Sequence, residues 1–145
     1  MRLAISHYEY RVRDLELMTR FYCDVIGLRE AYNYTDDQGK VRGVCLQVSD
    51  STMLELWGGA TGEQPTDRSR IGITRIGWWV DDINAVLAEW GTKGVVADRP
   101  PTIGADNVWH TGFRDPEGNS IELWQSGGDS KQEHAIAAWR AERGG

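Results

Sequence analysis

The sequence predicts an α+β fold of tandem βαβββ modules that form a curved mixed sheet around a shared cleft. Three observations carry that expectation. Leu54-Glu55-Leu56-Trp57 returns as Ile121-Glu122-Leu123-Trp124, at an offset of 122 − 55 = 67 residues. Tyr10-Arg11-Val12-Arg13-Asp14-Leu15 is answered by Trp78-Trp79-Val80-Asp81-Asp82-Ile83, at an offset of 82 − 14 = 68. Each of those openings then runs into an apolar pattern of helical period, and two correlated matches at nearly one offset mark a duplication.

In the first copy, residues 4–12 alternate as a strand. Asp14 supplies a carboxylate cap for a helix whose face carries Leu15, Met18, Tyr22 and Val25, and Gly27 ends it. Strands follow over 28–35, 41–48 and 52–57, the first two joined through the turn residues Asp36-Asp37-Gln38-Gly39.

The second copy begins near Thr74, caps its helix with Asp82, and spaces Ile83, Val86, Leu87 and Trp90 along one face before Gly91. Trp90 therefore reads as core. Strands are expected at 95–99, 107–114 and 120–125, the last pair joined by Asp115-Pro116-Glu117-Gly118-Asn119. The modules span 1–58 and 72–128 within one domain, 1–128. Between them, linker 59–71 is rich in Gly, Pro, Asp and Arg, and its Arg68 and Arg70 read as solvated charges or as parts of a lid. A tail, 129–145, opens with the capping box Ser130-Lys131-Gln132-Glu133 and gives a short helix Ile136 and Trp139 to bury, as an appendage or a subunit contact.

Composition narrows the function. The 145 residues suffice for one core without disulfides, and Cys23 and Cys45 lack the spacing of a metal or redox pair. A net charge of −6, with Lys and Arg scattered, argues against nucleic acid as a partner. No apolar run approaches the roughly 20 residues that span a bilayer, and the first residues turn polar before a signal sequence could form, so a cytoplasmic location is expected. Seven Trp is an excess that suggests a binding surface.

Strand alternation sorts the candidate residues by face. Leu54, Leu56, Ile121 and Leu123 belong against the helices, which leaves Glu55, Trp57, Glu122 and Trp124 on the opposite face. The first strand sends His7, Glu9 and Arg11 to that face, and the repeat partner of His7 is residue 7 + 68, Arg75, followed by Gly77 and Trp79. Trp57, Trp79 and Trp124 are stacking candidates; Trp78 reads as packed on the second helix. His110 falls with Gly112 and Arg114 and is a candidate acid or base where that set faces the cleft; a bulge would reverse it.

On these residues the chain resembles the vicinal-oxygen-chelate superfamily, which includes glyoxalase I, bleomycin-resistance proteins, fosfomycin-resistance enzymes and extradiol dioxygenases. The likeness covers residues 4–125. It rests on His7 with Val12-x-Asp14-Leu15 and Phe21-Tyr22…Gly27-Leu28, and on the closing run Phe113-Arg114-Asp115-Pro116-Glu117-Gly118-Asn119-Ser120-Ile121-Glu122-Leu123. The resemblance implies a divalent metal (Fe, Mn, Ni, Co or Zn) on His7, Glu55, Glu122 and a fourth position, residue 75. It also implies a homodimer, because units of this family need an edge partner to close their sheets.

Arg75 departs from that pattern, since a guanidinium offers only donors and cannot ligate a cation. Either the metal rests on His7, Glu55 and Glu122 while Arg75 turns outward to a substrate anion, or Arg75 bonds Glu55 and Glu122 in the metal's stead. The first arrangement implies a lyase, isomerase or oxygenase acting on a small oxygenated, partly aromatic or apolar substrate, with Glu122 or His110 moving the proton and Arg75 orienting an anionic group. The second implies a metal-free protein, similar to the bleomycin-resistance proteins, that sequesters a cationic planar drug among its indoles. Glyoxalase I and the two-His dioxygenases fit less well, because the fourth ligand is missing and one His stands where they have two.

Overall fold

The computed structural model describes residues 4–63, 69 and 71–143. The chain is α+β and divides into two compact units, Met1–Arg68 with Asp115–Asn119, and Ser69–Arg114 with Ser120–Gly145. Linker residues Arg68 and Arg70 lie outside the described residues.

The first unit contains β1 (His7–Arg11), α1 (Leu15–Arg20), β2 (Arg29–Thr35), β3 (Val41–Gln47) and β4 (Met53–Trp57). Their sheet order is β1-β4-β3-β2, with β1 parallel to β4 and the other pairs antiparallel. The strand read over 4–12 is shorter as a ladder, yet Met53 N bonds Ser6 O and Val12 N bonds Trp57 O, so its bonding reaches past both ends. Asp14 caps α1 by accepting from Leu17 N at 2.9 Å. From Phe21 to Ile26 the helix winds as a π-helix, and Gly27 closes it at φ 92°. The wider winding moves Ile26 rather than Val25 into the core with Met18 and Tyr22, a one-residue correction to the expected face. These side chains lie with Leu54, Leu56, Val44 and Leu46, the helix-side residues of β4 and β3.

The second unit repeats the plan with β5 (Ile76–Trp79), α2 (Ile83–Gly91), β6 (Thr102–Ile103), β7 (Val108–Arg114) and β8 (Ser120–Ser126), in sheet order β5-β8-β7-β6. Asp82 caps α2 through Asn84 N and Ala85 N. Gly91 is still helical, and the chain leaves the helix at Gly94, which takes φ 91°. Trp90 is buried edge-to-face on Phe113, with ring centroids 5.5 Å apart.

One strand is corrected. Residues 95–99 keep only a single bridge, Ala97 to Phe113, and the paired segment is displaced to Thr102–Ile103. Pro100-Pro101 explains the break, because neither residue has an N–H to give to a ladder.

The tail forms α3 (Lys131–Arg143). Its capping box is made: Glu133 N bonds Ser130 Oγ at 3.2 Å, and Glu133 accepts from Ser130 N at 3.0 Å. Ile136 and Trp139, expected to be buried, are instead 37% and 52% exposed, because every residue of α3 from 131 to 142 faces solvent. No helix among the described residues is long and apolar enough to cross a membrane.

Candidate functional site

In each unit the sequence Glu-Leu-Trp on the last strand puts a carboxylate and an indole two residues apart on the sheet face away from the helix. The indole N–H then reaches back to the carboxylate. Trp57 Nε1 donates to Glu55 Oε2 at 3.0 Å, and Trp124 Nε1 donates to Glu122 Oε2 at 3.1 Å. Both carboxylates are buried, so each needs such donors to offset the loss of water.

The second carboxylate oxygen is satisfied differently in the two units. In the first, Tyr34 on β2 donates its hydroxyl to Glu55 Oε1 at 2.9 Å and stacks on Trp57, centroids 4.6 Å apart. The Trp57 N–H is the main influence holding the Glu55 carboxyl below the usual range; the Tyr34 hydroxyl and the charge of His7 add to it, and burial opposes it. Tyr32 stands edge-on to Tyr34, and the Arg11 guanidinium lies 5.6 Å from the Trp57 ring centre. His7 is exposed at the start of β1, its Nδ1 3.0 Å from Ser6 Oγ.

In the second unit, Glu122 Oε1 is taken by two cations, Arg75 Nη1 at 2.9 Å and Arg99 Nη2 at 3.4 Å. Arg99 also meets His110 Nδ1 at 2.8 Å, so His110 accepts there and carries its ring proton on Nε2. His110 pairs with Trp124 across β7 and β8, and Gly112 pairs with Glu122. His110 therefore shares the carboxylate's face, with no bulge to reverse it. Trp79 completes the group, edge-to-face with Trp124 at 5.9 Å.

The two indoles lie over opposite neighbours. Trp57 covers Gly43 on the antiparallel strand β3, so closely that a Cβ there would sit 2.9 Å from Cδ2. Trp124 leans toward Gly77 on the parallel strand β5, where a Cβ would stand 3.5 Å from Nε1. By register the repeat partner of Gly43 is His110, and that of Gly77 is Glu9. Each unit has its small residue where the other has a large one, and the ring goes where room is left.

Sequence reasoning missed Tyr34 and Arg99. Tyr34 was within reach: it has the parity of Tyr32 on β2 and pairs with Gly43, which pairs with Trp57. The signal for Arg99 was the diproline behind it, which stops the chain from pairing regularly and leaves Arg99 to turn onto the Glu122 face.

The chain belongs to the Glyoxalase/Bleomycin resistance protein/Dioxygenase superfamily, whose family model matches residues 6–113. Its sequence is 27% identical over 128 residues to the uncharacterized protein YaeR of Escherichia coli strain K12, covering 83% of this chain and 95% of that one. The fold is shared with a glyoxalase family protein from Enterococcus faecalis, at TM-score 0.72 and 19% identity over 84% of this chain and 97% of that one. It is shared also with TnmS3, an antibiotic binding protein from Streptomyces sp. CB03234, at TM-score 0.65 and 23% identity over 86% and 97% of the two chains.

Divalent metals often serve this superfamily, but the donors here do not suit one. Both oxygens of Glu122 and both of Glu55 already accept hydrogen bonds, and two of the groups on Glu122 are permanent cations that would repel a metal. Of the two bonds in the second arrangement expected for Arg75, the one to Glu122 is present, Nη1 to Oε1 at 2.9 Å.

Proposed function

We propose that this member of the superfamily is a metal-independent small-molecule-binding protein, in which Arg75 and Arg99 neutralise a carboxylate that a metal would otherwise occupy. The observation that carries the reading is Glu122, 5% exposed, with Oε1 bonded by two guanidinium groups and Oε2 by an indole. A buried carboxylate with three charge-matched or hydrogen-bonding partners has no need of a metal. The antibiotic-binding protein that shares this fold supports a binding role, with Trp57, Trp79 and Trp124 as the stacking surfaces.

The competing reading, a metal-dependent lyase, isomerase or oxygenase on His7, Glu55 and Glu122 with His110 as acid or base, needs both guanidinium groups to leave Glu122. Elemental analysis of the purified protein before and after chelation separates the two. Substoichiometric metal in the wild type, with metal gained on Arg75→His, supports the proposal. Stoichiometric metal in the wild type, abolished by Glu122→Ala, overturns it. As part of the same reading the protein is a cytoplasmic homodimer. Among the described residues β2 and β6 each end their sheet, which supports a dimer, since an open ladder favours pairing, and light scattering on the eluting protein tests it by mass.

A further inference from the structure

We infer that the ligand is a planar aromatic acid, its carboxylate held by Arg75 and Arg99 and its ring set against Trp79 and Trp124. This names the ligand class and rests on the metal-independent reading above.

The sequence as a whole is acidic, but the face around Glu122 is not. Arg75 and Arg99 keep side-chain exposures of 46% and 36% while Glu122 beneath them is buried. Each guanidinium carries five N–H donors, and the bond to Glu122 uses one N–H of each. Glu122 thus works as an anchor: it takes one N–H of each guanidinium, His110 Nδ1 takes another from Arg99 Nη2, and the other N–H groups of both belong to side chains that stay part exposed. Paired forks of fixed orientation match two oxygens on one carbon, which is the geometry of a carboxylate. Asp98 is an acid on this face, its Oδ2 3.1 Å from where a Cβ on Gly112 would stand. It is exposed, and it sets a second acid against the ligand that the two guanidinium groups must outweigh.

The indoles supply the apolar half. Arg75, Gly77 and Trp79 follow one another on the same side of the chain entering and forming β5. Gly77 sets no side chain against the Trp124 ring, and Trp79, 46% exposed, stands edge-on to that ring. A flat ligand lying along β5 meets cations at one end and indoles at the other. Past Trp79 the surface continues into an open groove of about 270 Å³, lined also by Glu133, Ile136, Ala137 and Arg140 of α3, which gives room for a substituent on the ring. The Arg75–Arg99 end fits a planar cation poorly, because the part-exposed groups over Glu122 are positive.

The test is calorimetric titration of the full-length protein at pH 7.5 with 2-naphthoate, 2-naphthalenemethanol and 2-naphthylmethylammonium, which share a ring and differ in charge. The expected order is naphthoate at least tenfold tighter than the alcohol, and the ammonium weakest. Arg99→Lys and Arg75→Lys keep the charge that Glu122 needs but lose the fork, and each lowers naphthoate affinity about tenfold or more while the alcohol changes less than threefold. Thermal unfolding of each variant shows that it is folded. Equal binding of the three probes, preference for the ammonium, or lysine variants that bind as wild type overturns the inference. Metal content, measured on the same sample, reports separately on the metal-independent reading: a metal-free protein that ignores naphthoate defeats only the ligand class.

Discussion

Gly43 lies under the Trp57 indole with no room for a methyl group, a Cβ there falling 2.9 Å from Cδ2 and 3.0 Å from Cε3. Gly43→Ala therefore tips the ring off β3 and pulls Nε1 away from Glu55. We expect a loss of about 1–3 kcal/mol in denaturant unfolding, in the range of an overpacked core. Gly77→Ala is the control. Its nearest contact, 3.5 Å to Trp124 Nε1, is ordinary van der Waals distance, and replacing a strand glycine saves roughly 0.5–1 kcal/mol of backbone entropy, so that variant should match or exceed wild-type stability.

Tyr34→Phe removes one of two donors to Glu55 and should move its carboxyl back toward the ordinary glutamate range. The sign follows from the depressed value in the folded protein. The stabilising contribution of Glu55 is present above its unfolded pKa and is lost as pH falls through the lower folded one. Tyr34→Phe should accordingly be less stable than wild type near neutrality, by about 1 kcal/mol, with the gap closing as the pH drops below the ordinary glutamate value. Carboxyl NMR titration of Glu55, with unfolding curves at pH 7 and pH 3, checks both parts.

Trp124→Phe keeps the ring beside Gly77 but leaves Glu122 Oε2 without its donor. A buried acceptor stripped of one partner costs about 1–3 kcal/mol. Because Arg75 and Arg99 still hold Oε1, the variant should fold, and urea unfolding compared with Trp79→Phe, which removes no donor from a carboxylate, isolates the hydrogen bond.

Asp115 is buried and accepts from Tyr22 Oη at 2.7 Å, Asn119 Nδ2 at 2.6 Å, Asn119 N at 2.8 Å and Glu117 N at 3.0 Å. Burial pushes its carboxyl up while those donors pull it down, and burial dominates. Asp115→Ala orphans several buried donors together and should cost about 3 kcal/mol or more, against about 1 kcal/mol for Tyr22→Phe. Thermal unfolding of the two variants gives the ratio.

Glu133 is held at about 2 by the Ser126 and Ser130 hydroxyls and the Ser130 N–H. With a folded value below the unfolded one, its contribution to the N-terminus of α3 is complete above the ordinary glutamate pKa and fades as pH falls toward 2. Amide exchange at His134 and Ala135 should quicken across that window in wild type and be fast at every pH in Glu133→Ala.

The sequence was most legible where the physics is local. Asp14, Asp82 and the Ser130–Glu133 box were readable as caps because a cap needs only its own next three residues, and Leu54 and Leu56 were assigned a face by alternation alone. Val25 was misplaced because nothing in Phe21–Ile26 announces π winding. Ile136 and Trp139 were expected to be covered on the strength of their spacing, yet spacing shows only that two residues share a face. The site was half legible for the same reason. Glu55, Glu122, Arg75 and the indoles follow from the repeat, whereas the partners that decide their chemistry arrive from other strands and loops: Tyr34 by a two-strand register, Arg99 by a loop turned aside at Pro100.

The exchange of Gly43 and Gly77 for His110 and Glu9 in the opposite copies means that the halves are no longer interchangeable parts. A chain assembled from two first units would carry two tyrosine-latched carboxylates and no paired guanidinium groups. One assembled from two second units would set positive charge in both and lose the latch. Once each copy had given its indole a different bed, neither could stand in for the other, and the ancestral symmetry survives in the backbone, the helix caps and the indole–carboxylate pair.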